Sequence, residues 1–303
     1  MIKEKILNLK KRKNAIILAH YYTLPEVQDI ADFVGDSLAL SKQAAATDAD
    51  IILFAGVHFM AETAKILSPQ KKVLIPDMDA GCSLADSCPA EQLEVFLKDY
   101  PNHKVLSYIN CSAKVKTLSD IIVTSGNALK IVNALPQDEK IVFTPDRNLG
   151  AYINKETGRE MVLWNGACHV HDQLTADEVY RLKEKYPNAK VLAHPECKAT
   201  VLALADFIGS TAAMLHFAKN NTPSAFIVAT ETGILYEMQK QNPDKQFYVV
   251  NNPETCACND CEYMKLNTLE KIYSTLQSET PEVVLDEALI KKALAPIRKM
   301  LEH

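Results

Sequence analysis

The sequence lacks any apolar run long enough for a bilayer. Its longest runs, such as Ala15 to Ala19, fall far short of the ~20 residues a spanning helix needs. The same run is too short for the core of a secretory signal, and the Ala-His-Tyr-Tyr that ends it is no cleavage site. A cytoplasmic protein with no membrane partner is expected. Basic charge is also sparse, with 33 Lys and Arg against 38 Asp and Glu, a formal net charge of −5. The longest basic block is Lys10-Lys11-Arg12-Lys13, so no phosphate-tracking surface for a nucleic acid is expected. Cysteines are too thinly spread for a disulfide scaffold, eight in 303 residues. No second Cys-x₂-Cys pair exists to complete a zinc ribbon with Cys258 and Cys261.

What is present is a globular balance, 48% hydrophobic and 23% charged. The length suits two compact units or three small ones. Internal repetition favours three. Asn14–Tyr22, Lys104–Cys111 and Lys190–Cys197 each read as a short apolar run ending in a polar aromatic residue, at His20, Tyr108 and His194. Downstream, Ala31–Ser37, Ser119–Ser125 and Ala205–Thr211 match again. Asp32, Asp120 and Asp206, like Ser37, Ser125 and Thr211, keep offsets of 88 and 86 residues. A third set is Asp50–Gly56, Lys140–Asp146 and Ala225–Glu231, and a fourth is Lys72–Ser83, Glu160–His169 and Gln246–Cys261. Any chain of alternating strands and helices repeats its apolar runs, but not matched hydroxyls, aspartates and cysteines.

Continuously apolar strands separated by helices predict parallel sheets covered on both faces. Helices are expected over Ala90–Tyr100 and Ala176–Tyr186, with Pro89 at a first helical position and Thr175/Glu178 as a capping box. The fold class is therefore α/β. Three small parallel-sheet α/β/α modules, residues 1–88, 89–174 and 175–261, are expected, with a helical tail over 262–303; packed around a pseudo-threefold axis, they would bring their strand ends together. The tail reads as an amphipathic helix interrupted at Pro296 that packs back on a module.

Ligands of open parallel sheets sit beyond the carboxyl ends of the strands. His20, Tyr22, Ser37, His58 and Cys82 of the first module should therefore meet Tyr108, Asn110, Ser125, Cys168 and His171 of the second. The third module adds His194, Glu196, Thr211, Thr230 and a cysteine between 256 and 261. One thiolate from each module would then converge. Three thiolates can hold three corners of a [4Fe–4S] cube and leave one iron open as a Lewis acid. Ordinarily a lone cysteine is a packing residue, the reading adopted for Cys88, Cys111 and Cys197. A hydroxyl such as Ser37, Ser125 or Thr211 can be a helix N-cap as well as an anion ligand. Asp32, Asp120 and Asp206 are read as structural.

These residues carry a family resemblance. His20-Tyr21-Tyr22, Gly35-Asp36-Ser37, Cys82-Ser83-Leu84, Tyr108-Ile109-Asn110, Thr124-Ser125, Gly166-Ala167-Cys168-His169-Val170-His171, His194-Pro195-Glu196-Cys197, Gly209-Ser210-Thr211, Ala229-Thr230-Glu231 with Gly233, and Cys261 through Asn267 together resemble the quinolinate synthase A family over nearly the whole chain. The resemblance implies an enzyme of NAD biosynthesis that condenses iminoaspartate with dihydroxyacetone phosphate to quinolinate, phosphate and water. An aspartate-oxidising enzyme would supply the first substrate. It also implies one [4Fe–4S] cluster per chain on Cys82, Cys168 and Cys261. Repeat spacing favours Cys256 as the third ligand, whereas the Glu262–Asn267 flank favours Cys261, which is adopted.

Substrate contacts are expected from His20, Ser37, Tyr108, Asn110, Ser125, His194, Glu196, Ser210 and Thr211. Tyr22 and Glu196 are the expected general acid/base pair, with His171 assisting. The rival readings are another cluster-dependent dehydratase and a nonenzymatic iron–sulfur carrier; the repeat-matched His/Tyr/His and Ser/Ser/Thr sets favour a small-molecule site.

Overall fold

The computed structural model describes residues 2–251 and 259–303. Three four-stranded parallel sheets follow one another along the chain. The first holds β1 (Ala15–His20), β2 (Phe33–Gly35), β3 (Ile51–Ala55) and β4 (Lys72–Leu74) in the order β2-β1-β3-β4. The second holds β5 (Lys104–Tyr108), β6 (Ile121–Val123), β7 (Ile141–Thr144) and β8 (Val162–Leu163). The third holds β9 (Lys190–Ala193), β10 (Phe207–Ile208), β11 (Ala225–Ala229) and β12 (Gln246–Val249). Both repeat the first sheet's order, β6-β5-β7-β8 and β10-β9-β11-β12, so the triplication read from the sequence is a triplication of topology.

The matched aspartates explain part of that identity. Asp32 Oδ2 accepts the Ile17 N–H, Asp120 Oδ2 that of Val105 and Asp206 Oδ2 that of Val191, each at 2.8 Å. The Asp32, Asp120 and Asp206 N–H groups return bonds to the carbonyls of the same three residues. Each aspartate therefore pins the start of its module's short second strand to its first. A charge-assisted bond of this kind is stronger than a neutral one, and these two- or three-residue edge strands have little else to hold their register.

Strand alternation sorts side chains into an inner and an outer core. Leu18, Ile52 and Phe54 of the first sheet join Leu106 and Phe143 of the second and Leu192 and Phe226 of the third in one continuous buried cluster. Ile17, Ala19, Ile51 and Leu53 point the other way, beneath helices Ile2–Arg12 and Leu269–Ser278. On the third sheet, Val191, Ala193 and Ile227 pack with Val179 and Leu182 of helix Ala176–Lys185. The inner cluster is thus shared by all three sheets, which fixes how their strand ends face one another.

Several local expectations are corrected. The helix expected over Ala90–Tyr100 has Pro89 as its N-cap and ends at Leu97. Thr175 does cap its helix by accepting the Glu178 N–H at 3.3 Å, but Glu178 bonds Arg181 instead of reaching back, so the box is half made. The terminal helix Glu287–Leu301 runs unbroken through Pro296. Its Ala293, Pro296, Ile297 and Met300 face is buried, and Asn127 Nδ2 donates to the Met300 carbonyl at 3.1 Å; tertiary packing outweighs the one helical bond that proline forfeits. The sheet register also moves the first repeat by one residue. Ala55, Thr144 and Ala229 pair with Ala19, Ser107 and Ala193, which makes Val57, not Gly56, the counterpart of Asp146 and Glu231. Among the described residues, no helix is long and apolar enough to cross a membrane.

Candidate active site

Cys82, Cys168 and Cys261 each stand immediately before a single-turn helix, Ser83–Asp86, His169–Asp172 and Glu262–Lys265. Each cysteine carbonyl accepts the N–H four residues on, from Asp86 at 2.9 Å, Asp172 at 2.8 Å and Lys265 at 3.2 Å. The loops are anchored alike as well. The N–H groups of His58, Arg147 and Thr232 donate to the carbonyl two residues before the cysteine, namely Ala80, Gly166 and Asn259, at 2.7, 2.8 and 3.3 Å. By local structure Cys261 is therefore the counterpart of Cys82 and Cys168. Cys256 and Cys258 lie outside the described residues. Cys88, Cys111 and Cys197 are fully buried and unpaired, away from the cavity, as packing residues.

All three loops open on one cavity, which Cys82, Cys168 and Cys261 line together. Burial pushes the Cys82 thiol up to about 12 and the Cys261 thiol up to about 11, and holds Cys168 well above the usual thiol range. Left alone, these sulfurs are neutral thiols. Charge on one raises its neighbour, as between Cys82 and Cys261 and between Cys168 and Cys82. Three partly buried sulfurs facing one cavity, whose joint ionisation a cation among them would favour, are a donor set suited to a metal centre. Cys168 Sγ, His171 and Glu196 alone also lie close enough, all within 4.8 Å of one another, to hold a single ion.

The repeat-equivalent aromatic residues take the next layer. His20, Tyr108 and His194 all line the cavity. Nδ1 of His20 accepts the Tyr22 N–H at 3.2 Å, and Nδ1 of His194 accepts the Glu196 N–H at 3.4 Å. Burial lowers both rings to about 3, so each is neutral and carries its proton on Nε2, available as a donor. His194 Nε2 lies 3.3 Å from Ser125 Oγ. Ser37, Ser125 and Thr211 line the same cavity, with Asn110. They are not caps: Asp36 and Ser210 cap the helices that Ser37 and Thr211 begin. Ser210, expected among the substrate contacts, does not line the cavity; its hydroxyl accepts the Ala213 N–H and bonds Asp36 Oδ2 at 3.3 Å.

Glu196, His171 and Tyr22 are joined by a hydrogen-bonded chain that crosses all three modules. Glu196 Oε2 accepts from His171 Nδ1 at 2.6 Å, and His171 Nε2 meets Thr230 Oγ1 at 2.8 Å. Thr230 Oγ1 continues to the Tyr22 hydroxyl at 2.9 Å, which also meets Thr211 Oγ1 at 3.0 Å. The His171 ring stacks on His194 with centroids 4.7 Å apart. Burial opposes ionisation of Glu196, but the adjoining histidines, His171 first, draw its carboxyl down to about 2. Its other oxygen, Oε1, and Asn110 Oδ1 are buried with no hydrogen-bond partner. Thr230 had been placed at a strand end by the sequence without a task; its bridging position depends on three modules meeting, which no local motif records. Gly233 has a steric reason: a Cβ there would fall 2.7 Å from the Tyr22 Cα.

The model of the family described as quinolinate synthetase A protein matches residues 4–302. The chain belongs to that family. It is similar to the quinolinate synthase of Synechocystis sp., 57% identical over 296 residues that cover 98% of this chain and 93% of that protein. A quinolinate synthase of Microcystis aeruginosa is 56% identical over 297 residues, with the same coverage of each chain, 98% and 93%. That of Chloroherpeton thalassium is 55% identical over 300 residues, covering 99% and 93%. The quinolinate synthetase A family is a family of enzymes, and residues of the matched motifs line the cavity of this chain.

Proposed function

We propose that this chain condenses iminoaspartate with dihydroxyacetone phosphate to quinolinate, releasing phosphate and water, as a step of NAD biosynthesis. An aspartate-oxidising enzyme would supply the imine. The observation that carries this reading is the convergence of one cysteine per module, each in the same local setting, on a cavity rich in neutral donors. Cys82, Cys168 and Cys261 would hold a [4Fe–4S] cluster. When bound, such a cluster supplies an open iron that acts as a Lewis acid toward a carboxylate or a departing hydroxyl.

The side chains supply the rest. Among the described residues, no Lys or Arg lines the cavity, so anionic substrates are held by neutral donors beside the metal. His20 and His194 offer Nε2–H, Tyr108 and the hydroxyls of Ser37, Ser125 and Thr211 offer O–H, and Asn110 offers its amide. The fixed placing of these groups holds two small substrates at adjacent positions, which removes much of the entropic cost of their condensation. Isomerising a ketose carbon and losing water both need protons moved between neighbouring atoms. Glu196, ionised and with Oε1 free, is placed to take one. The Tyr22 hydroxyl, at the far end of the His171–Thr230 chain, is placed to give one. A single ion on Cys168, His171 and Glu196 would instead consume the Glu196–His171 bond.

The test is turnover. Anaerobically purified protein given iminoaspartate and dihydroxyacetone phosphate should form quinolinate, detected by mass, and added quinolinate should shift the visible spectrum of the bound iron. Iron-replete protein that forms none, with a spectrum indifferent to quinolinate, would make the chain an iron–sulfur carrier instead.

A further inference from the structure

The three cysteine loops are alike in backbone but not in what holds the cysteine's own N–H. Asp146 and Glu231 occupy equivalent places, two residues beyond the paired positions Thr144 and Ala229. Both are buried, with exposures of 0% and 1%. Asp146 Oδ2 accepts the Cys168 N–H at 3.2 Å while Oδ1 accepts the Leu149 N–H at 2.7 Å. Glu231 Oε1 accepts the Cys261 N–H at 3.0 Å while Oε2 accepts the Gly233 N–H at 2.6 Å. In the first module this place is Val57, which has no acceptor, and among the described residues no side chain takes the Cys82 N–H. Glu231 has one further partner. Lys265 Nζ lies 2.9 Å from Glu231 Oε1 and donates to the Tyr22 carbonyl at 2.8 Å.

We infer that Asp146 and Glu231 are positioning residues for the metal centre, each fixing one ligand cysteine through its backbone N–H, and that Glu231 with Lys265 also ties the Cys261 loop to the segment carrying Tyr22. This rests on the reading of Cys168 and Cys261 as cluster ligands. The physical case is economy of motion. A thiolate on a loop pinned at its carbonyl alone can still pivot about the cysteine; a second bond at the N–H, to a carboxylate that packing immobilises, removes that freedom. Each carboxyl accepts two backbone N–H groups at once and is held in place by both, and the residues that orient metal ligands in this way commonly contribute tenfold to a hundredfold in metal affinity. Cys82 is then the least constrained of the three ligands.

The amide variants D146N and E231Q keep size but turn one acceptor into a donor facing an N–H. The cluster-loaded protein, in the absence of oxygen, is challenged with excess chelator, and loss of visible absorption and iron is followed in time. Both variants should release iron roughly tenfold to a hundredfold faster than the unaltered protein. The control is D206N, which disturbs a carboxylate-to-backbone bond of the same kind at a solvent-exposed position outside the cavity lining and should release iron at the unaltered rate. Release by D146N and E231Q at the unaltered rate, or equal acceleration by D206N, would overturn the inference while leaving the cluster reading intact. An unaltered protein that takes up no iron would overturn both. Should D146N not fold, since Asp146 also caps a helix, E231Q decides.

Discussion

Glu196 Oε2 lies 2.6 Å from His171 Nδ1 although the two residues come from different modules, His171 following β8 and Glu196 following β9. Neither is useful in this way unless the modules pack as they do. The pair joins the first-strand end of the third repeat to the cysteine loop of the second, and through Thr230 it reaches Tyr22 of the first.

Replacing Glu196 with Gln preserves the side chain's volume but removes the charge and the free acceptor at Oε1. Iron content should be unchanged, because Glu196 is no ligand in this account. Turnover should fall by about 10²–10⁴, the range for a lost general base. Steady-state rates beside iron analysis check this; near-full activity would remove Glu196 from proton transfer.

Tyr22→Phe deletes the hydroxyl that lies between Thr211 and Thr230, leaving two buried threonine hydroxyls each short of a partner. The cost should be about 1–3 kcal/mol of stability, read from chemical denaturation of the metal-free protein. Turnover should also fall, whereas Tyr21→Phe, altering a ring outside the chain, should leave turnover within twofold.

Asp206→Ala removes the clip on the Val191 N–H. The expected loss is about 1.5–3 kcal/mol at most, the range for bonds to charged groups, lowered by the partial exposure of the site. The Michaelis constants should stay as they are. A changed substrate affinity would contradict the structural role assigned to all three repeated aspartates.

Low pH should weaken the fold through His20. Burial lowers its folded pKa from 6.5 to about 3, so the unfolded chain binds the proton first. The stability owed to the neutral ring is complete above about 6.5 and is lost as pH falls toward about 3, with a slope of up to ~1.4 kcal/mol per pH unit. Denaturation of the metal-free protein at pH 7 and pH 5 should show that slope diminished in His20→Asn, whose amide oxygen can still accept the Tyr22 N–H.

Much of this was legible in the sequence because the repeats preserve chemistry as well as apolarity. Asp32, Asp120 and Asp206 keep their spacing because each must reach back to one strand N–H. His20 and His194 keep theirs because each ring accepts a nearby backbone N–H. The third cysteine was ambiguous by spacing for an equally physical reason. The chain from the last strand to the cysteine is far longer in the third repeat, Val249 to Cys261, than in the second, Leu163 to Cys168, so the offset drifts while the local helix start does not. Asp146 ends a repeat segment matched with that of Glu231, and Thr230 stands at a strand end, but neither position announces its task. Their partners lie on other strands or other modules, and only packing shows that one bonds a cysteine N–H and the other bridges a histidine and a tyrosine. Of the neighbours Ser210 and Thr211, Thr211 lines the cavity while the Ser210 hydroxyl caps the helix that Thr211 begins, a division of tasks that the sequence does not record.

The central claim is that three modules each give one thiolate to a shared cluster. Iron and sulfide content, with the absorption spectrum, should be measured on protein purified without oxygen, for the unaltered chain beside C82S, C168S, C261S, C256S and C88S. The account predicts about four irons per chain, lost in C82S, C168S and C261S and retained in C256S and C88S. Iron retained in C261S, or lost in C256S, would contradict it.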